Sequence, residues 1–349
     1  MNTILVTGGA GFIGSNLVRH LLKNNNRVIN LDLLTYAGSL ENLVGLVEGD
    51  GYRFVHGSIG NKKLIESLLK EHQPDAIINV AAETHVDRSI DDPDVFIETN
   101  IVGLHTLLRL ARYYWSGLAG EKQAGFRFLQ VSTDEVYGSV LTGHSVEDDP
   151  FRANSPYAAA KASGDLLVRS YNKTYDLPTL ITNGSNTYGP NQFPEKLIPL
   201  TILKALGGES LPIYGDGKNV RDWLFVEDHC RGIAHVLQSG EAGKNYNIGG
   251  SDERANIDVV GYLCSVLDRL SPRGDGQVYE KQIEYVADRP GHDFRYALDT
   301  TRAQGLGWGT KTDFQVGLEK TVKWYLDNQE WCRAVAANSD PLSRIGLAK

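Results

Sequence analysis

The chain opens with Thr3-Ile4-Leu5-Val6-Thr7, which reads as a buried strand, and passes at once into Gly8-Gly9-Ala10-Gly11-Phe12-Ile13-Gly14. A strand that enters a helix through closely spaced glycines needs a tight turn and a close strand–helix crossing. This constrains the fold more than any other feature of the chain. The rest of the first half agrees with it. Apolar runs suited to strands lie at 3–7, 27–32, 52–55, 75–82, 126–132 and 178–183. Between them, 12–23, 61–72, 94–115 and 156–175 carry apolar residues at helical spacing. Such alternation predicts an α/β chain built on a doubly wound parallel sheet with helices on both faces.

In a sheet of this kind ligands bind beyond the carboxyl ends of the strands, so the positions after residues 7, 32, 82, 132 and 183 are the ones to inspect. Gly8, Gly11 and Gly14 allow the turn, the approach of a pyrophosphate to the backbone, and close helix packing. The helix N-terminus then faces the phosphates. Asp32 ends the second strand. A carboxylate there accepts from a ribose diol and repels a 2′-phosphate, which favours NAD over NADP and a Rossmann-type fold. The competing reading of Asp32 is a solvated loop acid.

The 349 residues exceed what one core usually holds, so a large domain and a smaller one are expected. The first covers 1–185. The second, 186–331, is the Pro- and Gly-richer substrate domain, a smaller C-terminal α/β unit. Segment 221–249 returns to the first, because Arg221-Asp222-Trp223-Leu224-Phe225-Val226 looks like strand followed by helix. Residues 332–349 show no pattern and read as a loosely held tail. The net charge of −8 argues against nucleic acid and leaves any anionic ligand in need of a local positive site. Three scattered cysteines, Cys230, Cys264 and Cys332, and histidines without ligand spacing point to neither disulfide nor metal. No apolar run has membrane-spanning length, and the early strand leaves no room for a signal peptide. A cytoplasmic protein is expected.

Tyr157-Ala158-Ala159-Ala160-Lys161 sets a phenol and an ammonium one helical turn apart. A cation beside a tyrosine lowers its pKa, and a positive nicotinamide ring acts the same way. A tyrosine so tuned takes a proton from a sugar hydroxyl while hydride leaves to NAD. The bland alternative is an exposed helix face. Asp134 and Glu135 follow the strand 126–132. Paired acids whose surroundings separate their pKa values can act as acid and base. A solvated turn or an N-cap acid would look the same.

The strings TGGAGFIGS, LTYAG (34–38), AAETHVDRSI (81–90), STDEVYG (132–138), YGPNQFPEKLIP (188–199), RDWLFVEDH (221–229) and ADRPGHD (287–293) resemble extended short-chain dehydrogenases, and within them dTDP-glucose 4,6-dehydratases. The resemblance spans residues 1 to about 331 and implies a three-step reaction on a tightly bound NAD. Tyr157 takes the 4-hydroxyl proton with Thr133 holding that oxygen, hydride leaves carbon 4, Glu135 takes the carbon-5 proton, and Asp134 protonates the departing 6-hydroxyl. Hydride then returns to carbon 6, and carbon 5 regains a proton.

The resemblance also implies who binds. For NAD it names Phe12, Ile13, Leu33, Leu34 and Thr35 after the first two strands. Ser58, Ile59, Val80, Ala81, Ala82, Thr99 and Thr187 join them, with Tyr157 and Lys161. For the sugar nucleotide it names Thr84, Thr133, Asn186, Lys196 and Leu197. Further along come Pro212, Ile213, Tyr214, Arg221 and Asn256, then Asp288, Arg289, Pro290, Gly291 and His292. Lys196, Arg221 and Arg289 suit a diphosphate and supply the positive site. A homodimer is implied, helices 94–115 and 156–175 pairing with their copies in a four-helix interface. Ile101, Leu104, Leu107, Leu108, Leu110, Leu166, Leu167 and Val168 are its candidate surface. Departures from the family pattern are Ser58 where Asp is usual, Thr187 where a second Asn is usual, and Gly184 where Cys is usual. The alternatives are a UDP-glucose 4,6-dehydratase, a UDP-sugar 4-epimerase sharing Tyr157 and Lys161, and a non-catalytic NAD sensor.

Overall fold

The computed structural model describes residues 2–288 and 291–337. Seven strands form the main sheet. They are β1 (Thr3–Thr7), β2 (Arg27–Asp32), β3 (Tyr52–His56), β4 (Ala76–Asn79), β5 (Arg127–Thr133), β6 (Thr179–Gly184) and β10 (Asn245–Ile248). Their order is β10-β6-β5-β4-β1-β2-β3, and every pairing is parallel. The order reverses at β1, which places a crevice beyond its carboxyl end. The Rossmann-type doubly wound sheet read from the sequence is the fold.

Both faces of the sheet are covered because its strands are apolar on both. Ile4 and Val6 pack with Leu17, Val18 and Leu21 of the helix Phe12–Lys23 and with Ile233 and Val236 of the helix Val226–Ser239. Leu5, Ile29 and Ile77 pack on the other face with Ile65, Leu107 and Val168. A Cβ on Gly14 would run into the carbonyl oxygen of Gly8, so the crossing admits no side chain there. Gly8 itself stands at φ 73°, the left-handed region.

The second half contributes β7 (Asn186–Tyr188), β8 (Leu211–Tyr214), β9 (Val220–Phe225), β11 (Glu253–Ala255) and β12 (Ile283–Val286). They form a three-stranded sheet β11-β9-β7 and a parallel pair β12-β8. Helices Leu197–Leu206, Asn256–Leu270 and Phe314–Asp327 close a separate core over Tyr188, Phe225, Leu263, Phe314 and Tyr325. β9 stays with this lobe, whereas the helix Val226–Ser239 packs on Phe12–Lys23 and β10 bonds to β6.

The expected return of 221–249 to the first lobe thus holds only after β9, and two further expectations change. The segment 94–115 is not one regular helix: Asp94–Ile97 is α-helical, Glu98–Gly103 is π-helical, and Leu104–Ser116 resumes the α form. Apolar spacing cannot register such an insertion, because the added residue is absorbed within the turns of one element. The tail does not begin at 332 either. Gln329–Ala337 is helical, with Cys332 and Val335 buried in the second core and Trp331 Nε1 donating to Asn42 Oδ1 at 2.8 Å. Residues 338–349 lie outside those described. Among the described residues no helix is long and apolar enough to cross a membrane, and no three acidic, His or Cys side chains group as metal ligands. All three cysteines are buried and unpaired.

Candidate active site

One cavity runs along the carboxyl ends of β1, β2, β4, β5 and β6. At the β1–β2 end it is lined by Gly8, Gly11, Phe12, Ile13, Gly14, Asp32, Leu33 and Thr35. Ser58 and Ile59 reach it from the segment after β3, and Val80, Ala81, Ala82, Thr84 and Thr99 from beyond β4. A Cβ on Gly8 would meet the backbone of Ala81 and Val80, so the cradle of main chain depends on glycine. Asp32 is no solvated loop acid. It is buried, and its Oδ2 accepts from Ala10 N at 2.8 Å and its Oδ1 from Leu34 N at 2.7 Å. Burial raises its pKa, and those two N–H groups oppose the rise. Two of a carboxylate's four acceptor positions remain for a diol. A bare glycine cradle at a helix N-terminus with a carboxylate at the next strand end fits a dinucleotide.

The other end holds the reactive groups. β5 ends at Thr133, and a 3₁₀ turn carries Asp134 and Glu135. Thr133 Oγ1 accepts from Glu135 N at 3.3 Å and donates to Asp134 Oδ1 at 3.2 Å. Ser155 caps the helix Pro156–Tyr175 by accepting from Ala158 N at 3.1 Å, with Pro156 in the first turn, where its missing N–H costs nothing. That cap fixes Tyr157 at the cavity, hydrogen-bonded to Thr133 and edge-on to Phe96. Asn186, Thr187 and Lys196 line the cavity from the second lobe.

Asp134 is buried and its pKa is pushed well up, first by desolvation and then by Glu135 and Asp222, while Arg221 and Thr133 pull it down. The shift favours its protonated form. Tyr157 differs from the sequence reading. Its pKa is well above the ordinary phenol value, raised by burial and by Glu135, Asp134 and Asp165. Lys161 does not outweigh them. The lysine Nζ donates to the Val131 carbonyl at 2.8 Å, and burial lowers its pKa to about 8 against the pull of Asp165. Spacing set the two residues on one helix face, but the strand beside them took the ammonium.

Several expected residues do not line the cavity: Leu34, Leu197, Pro212, Ile213, Tyr214, Arg221, Asn256, Asp288, Gly291 and His292. Arg289 and Pro290 lie outside the described residues. Arg221 is buried behind the acids, its Nη2 donating to Asp293 O at 2.9 Å and its guanidinium 4.5 Å from the Tyr296 ring centroid. Tyr214 packs edge-on to His292, which pairs with Asp288 at 2.6 Å. A main-chain carbonyl engages Arg221 and a carboxylate engages His292 in this conformation, which residue type alone does not reveal.

Other lining residues were missed. Glu195 is buried, 3.3 Å from Arg88 Nε and 3.2 Å from Tyr36 OH, and Glu83, Gln192, Phe193, Ser185, Gly184 and His229 join it. The signal was present, since Tyr36, Arg88, Glu195 and His229 stand inside four of the strings quoted above.

The sequence model of the GDP-mannose 4,6 dehydratase family matches residues 5–321. A dTDP-glucose 4,6-dehydratase of Xanthomonas campestris pv. campestris is 55% identical over 348 residues, 99% of each chain. A solved dTDP-glucose 4,6-dehydratase of Streptomyces venezuelae, with NAD and TYD bound, superposes with a TM-score of 0.87 at 46% identity, covering 95% of this chain and 99% of that one. The corresponding Bacillus anthracis enzyme in complex with NAD gives 0.84 at 44% identity, covering 96% of this chain and 100% of that one. With its family profile matched almost end to end and full-length likeness to these enzymes, the chain belongs to the GDP-mannose 4,6 dehydratase family, on its dTDP-glucose 4,6-dehydratase branch.

Proposed function

We propose that this protein is an NAD-dependent hydro-lyase that converts dTDP-glucose to dTDP-4-keto-6-deoxy-glucose. The observation that carries the reading is the turn at the end of β5, where a buried Asp134, its pKa pushed well up, adjoins Glu135 at the Tyr157 end of the dinucleotide cavity. A 4-epimerase moves only hydride and one hydroxyl proton and has no use for that pair. A sensor has no use for Tyr157 and Lys161.

Gly8, Gly11, Gly14 and Asp32 would hold NAD, with Tyr157 and Lys161 beside its reactive end. When bound, NAD would supply the hydride acceptance from carbon 4, the hydride return to carbon 6, and a positive charge that favours the phenolate. Tyr157 takes the 4-hydroxyl proton, and Thr133, already bonded to it, orients that oxygen. The ketone so formed acidifies carbon 5, whose proton Glu135 removes, and carbon 5 regains a proton when hydride reaches carbon 6. Asp134, kept protonated by burial and by its neighbour's charge, gives its proton to the 6-hydroxyl, which leaves as water. Lys196, whose Nζ lies 3.2 Å from Thr84 O, supplies positive charge to the diphosphate from the second lobe.

The division of labour follows the two lobes: residues 1–185 with 226–249 bind the cofactor, and 186–225 with 250–331 the sugar nucleotide. We further propose a cytoplasmic homodimer. Leu104, Leu107, Leu108, Leu110 and Val168 are buried in the chain's own core and cannot form its interface. The exposed apolar residues of the same helices are Val95, Ile97, Val102 and Tyr113, and Leu166 and Tyr175. These support a four-helix interface in their place.

Incubation with dTDP-glucose and with UDP-glucose in turn, followed by mass detection of the product, tests the reading. Loss of one water from dTDP-glucose, without net consumption of NAD, is the expected result. An unchanged mass with an inverted carbon 4 would establish the epimerase instead.

A further inference from the structure

His229, in the first turn of the helix Val226–Ser239, has no part in the reaction above, yet it lines the cavity beside Gly184, Ser185 and Thr187. The ring is 1% exposed. Its Nδ1 lies 2.8 Å from Thr187 Oγ1. The same hydroxyl lies 3.1 Å from the Ser185 carbonyl. A carbonyl only accepts, so the single hydroxyl proton goes to Ser185, and the hydroxyl can only accept from the ring. Nδ1 therefore carries the ring proton. Nε2 is left as a bare acceptor, buried and without a hydrogen-bond partner among the described residues. Burial holds the ring neutral, lowering its pKa to about 4.

The pose depends on Gly184. A Cβ there would fall 2.6 Å from His229 Cε1 and 2.7 Å from Nε2. A side chain at the end of β6 would thus displace the ring. A buried neutral acceptor is costly to leave unmet, and the group that meets it must be an N–H or O–H donor. This wall of the cavity is its reactive end, next to Thr133, Tyr157 and Lys161, and the glycine cradle lies at the other end. The ring that takes hydride must sit here, since the proton taken by Tyr157 and the hydride leave from one carbinol group. The N–H donor that such a ring carries is its carboxamide.

We propose that His229, oriented by Thr187, is a binding residue for the reactive end of the dinucleotide, its Nε2 accepting a hydrogen bond from the carboxamide N–H of the nicotinamide. The inference rests on the NAD reading above. It makes Gly184 and Thr187 parts of one device, the first clearing space for the ring and the second fixing its tautomer.

The test compares NAD with 3-acetylpyridine adenine dinucleotide, in which a methyl group replaces the amide nitrogen and the carbonyl is kept. Dissociation constants are measured by displacement of bound cofactor from the full chain. The wild type is expected to prefer NAD by about tenfold, the worth of one buried hydrogen bond whose loss strands its acceptor. His229→Leu is expected to bind the two alike, losing about tenfold for NAD only. Thr187→Val, which unlocks the tautomer, is expected to narrow the preference, and it decides the matter if His229→Leu does not fold. Equal affinities in the wild type would show that the carboxamide N–H gains no hydrogen bond from Nε2 and would overturn the proposal. A wild-type preference retained in the variants would do the same. If the wild type binds neither dinucleotide, the NAD reading itself falls.

Discussion

Ser132 Oγ donates to Asp165 Oδ2 at 2.7 Å, joining the active end of β5 to the helix that carries Tyr157 and Lys161. The same carboxylate oxygen accepts from Asn183 Nδ2 of β6 at 3.2 Å. Asp165 is wholly buried, and burial raises its pKa to about 6 despite Lys161 and these two donors. One side chain thus fixes the strand ends and helix that present the reactive groups. Ser132→Ala strands part of a buried carboxylate and is expected to destabilise the fold by about 1–3 kcal/mol. Urea unfolding of variant and wild type at pH 7.5 measures it, and equal midpoints would show that the bond contributes nothing.

His229 gives the fold a defined acid sensitivity. Its folded pKa, about 4, is below the ordinary 6.5, so the folded state binds this proton less readily than the unfolded chain. The stability it contributes is complete above pH 6.5 and is lost as pH falls from 6.5 towards 4. The slope reaches about 1.4 kcal/mol per pH unit. The difference in unfolding free energy between wild type and His229→Leu is expected to shift in the variant's favour between pH 6.5 and 5. Asp165 titrates in the same range with the opposite sign, but it is common to both proteins and cancels.

Oxidation and elimination are assigned to different residues, so their variants are expected to stop at different places. Tyr157→Phe keeps the ring contact with Phe96 but removes the proton acceptor, and little reduced cofactor is expected in a single turnover. Glu135→Gln and Asp134→Asn leave that step intact. Each is expected to accumulate reduced cofactor with a 4-keto glucose, visible by near-ultraviolet absorbance, and to dehydrate about 10²–10⁴-fold more slowly. A Glu135→Gln protein that dehydrates at the wild-type rate would remove the assignment.

Leu166 is 55% exposed on the helix Pro156–Tyr175, on the face left uncovered by the chain's own core. A carboxylate there is tolerated by a monomer but not within an apolar interface. Leu166→Glu is expected to turn a dimer into a monomer with an unchanged circular dichroism spectrum. Light scattering at micromolar concentration checks this, and a wild type that is already monomeric would end the dimer proposal.

The family resemblance implied the meeting of Thr133, Asp134, Glu135 and Tyr157, whereas the sequence by itself determined the parallel sheet, the glycine cradle and Asp32 at the end of β2. These depend on periodicity and on strand ends, which are local and are read directly along the chain. Helices Phe12–Lys23 and Pro156–Tyr175 carry the bounds that their spacing predicts. Tertiary structure alone decided where charged side chains spend their hydrogen bonds. Lys161 turned to the Val131 carbonyl and Arg221 to that of Asp293, because a buried N–H must be satisfied by whatever the neighbouring strands present. It also decided that the leucines of Leu104–Ser116 face inward, and that Gly184, β6's last residue, leaves the space filled by a ring 45 residues further along the chain. Contacts between distant segments depend on how the lobes pack, and no local pattern in the chain encodes that packing.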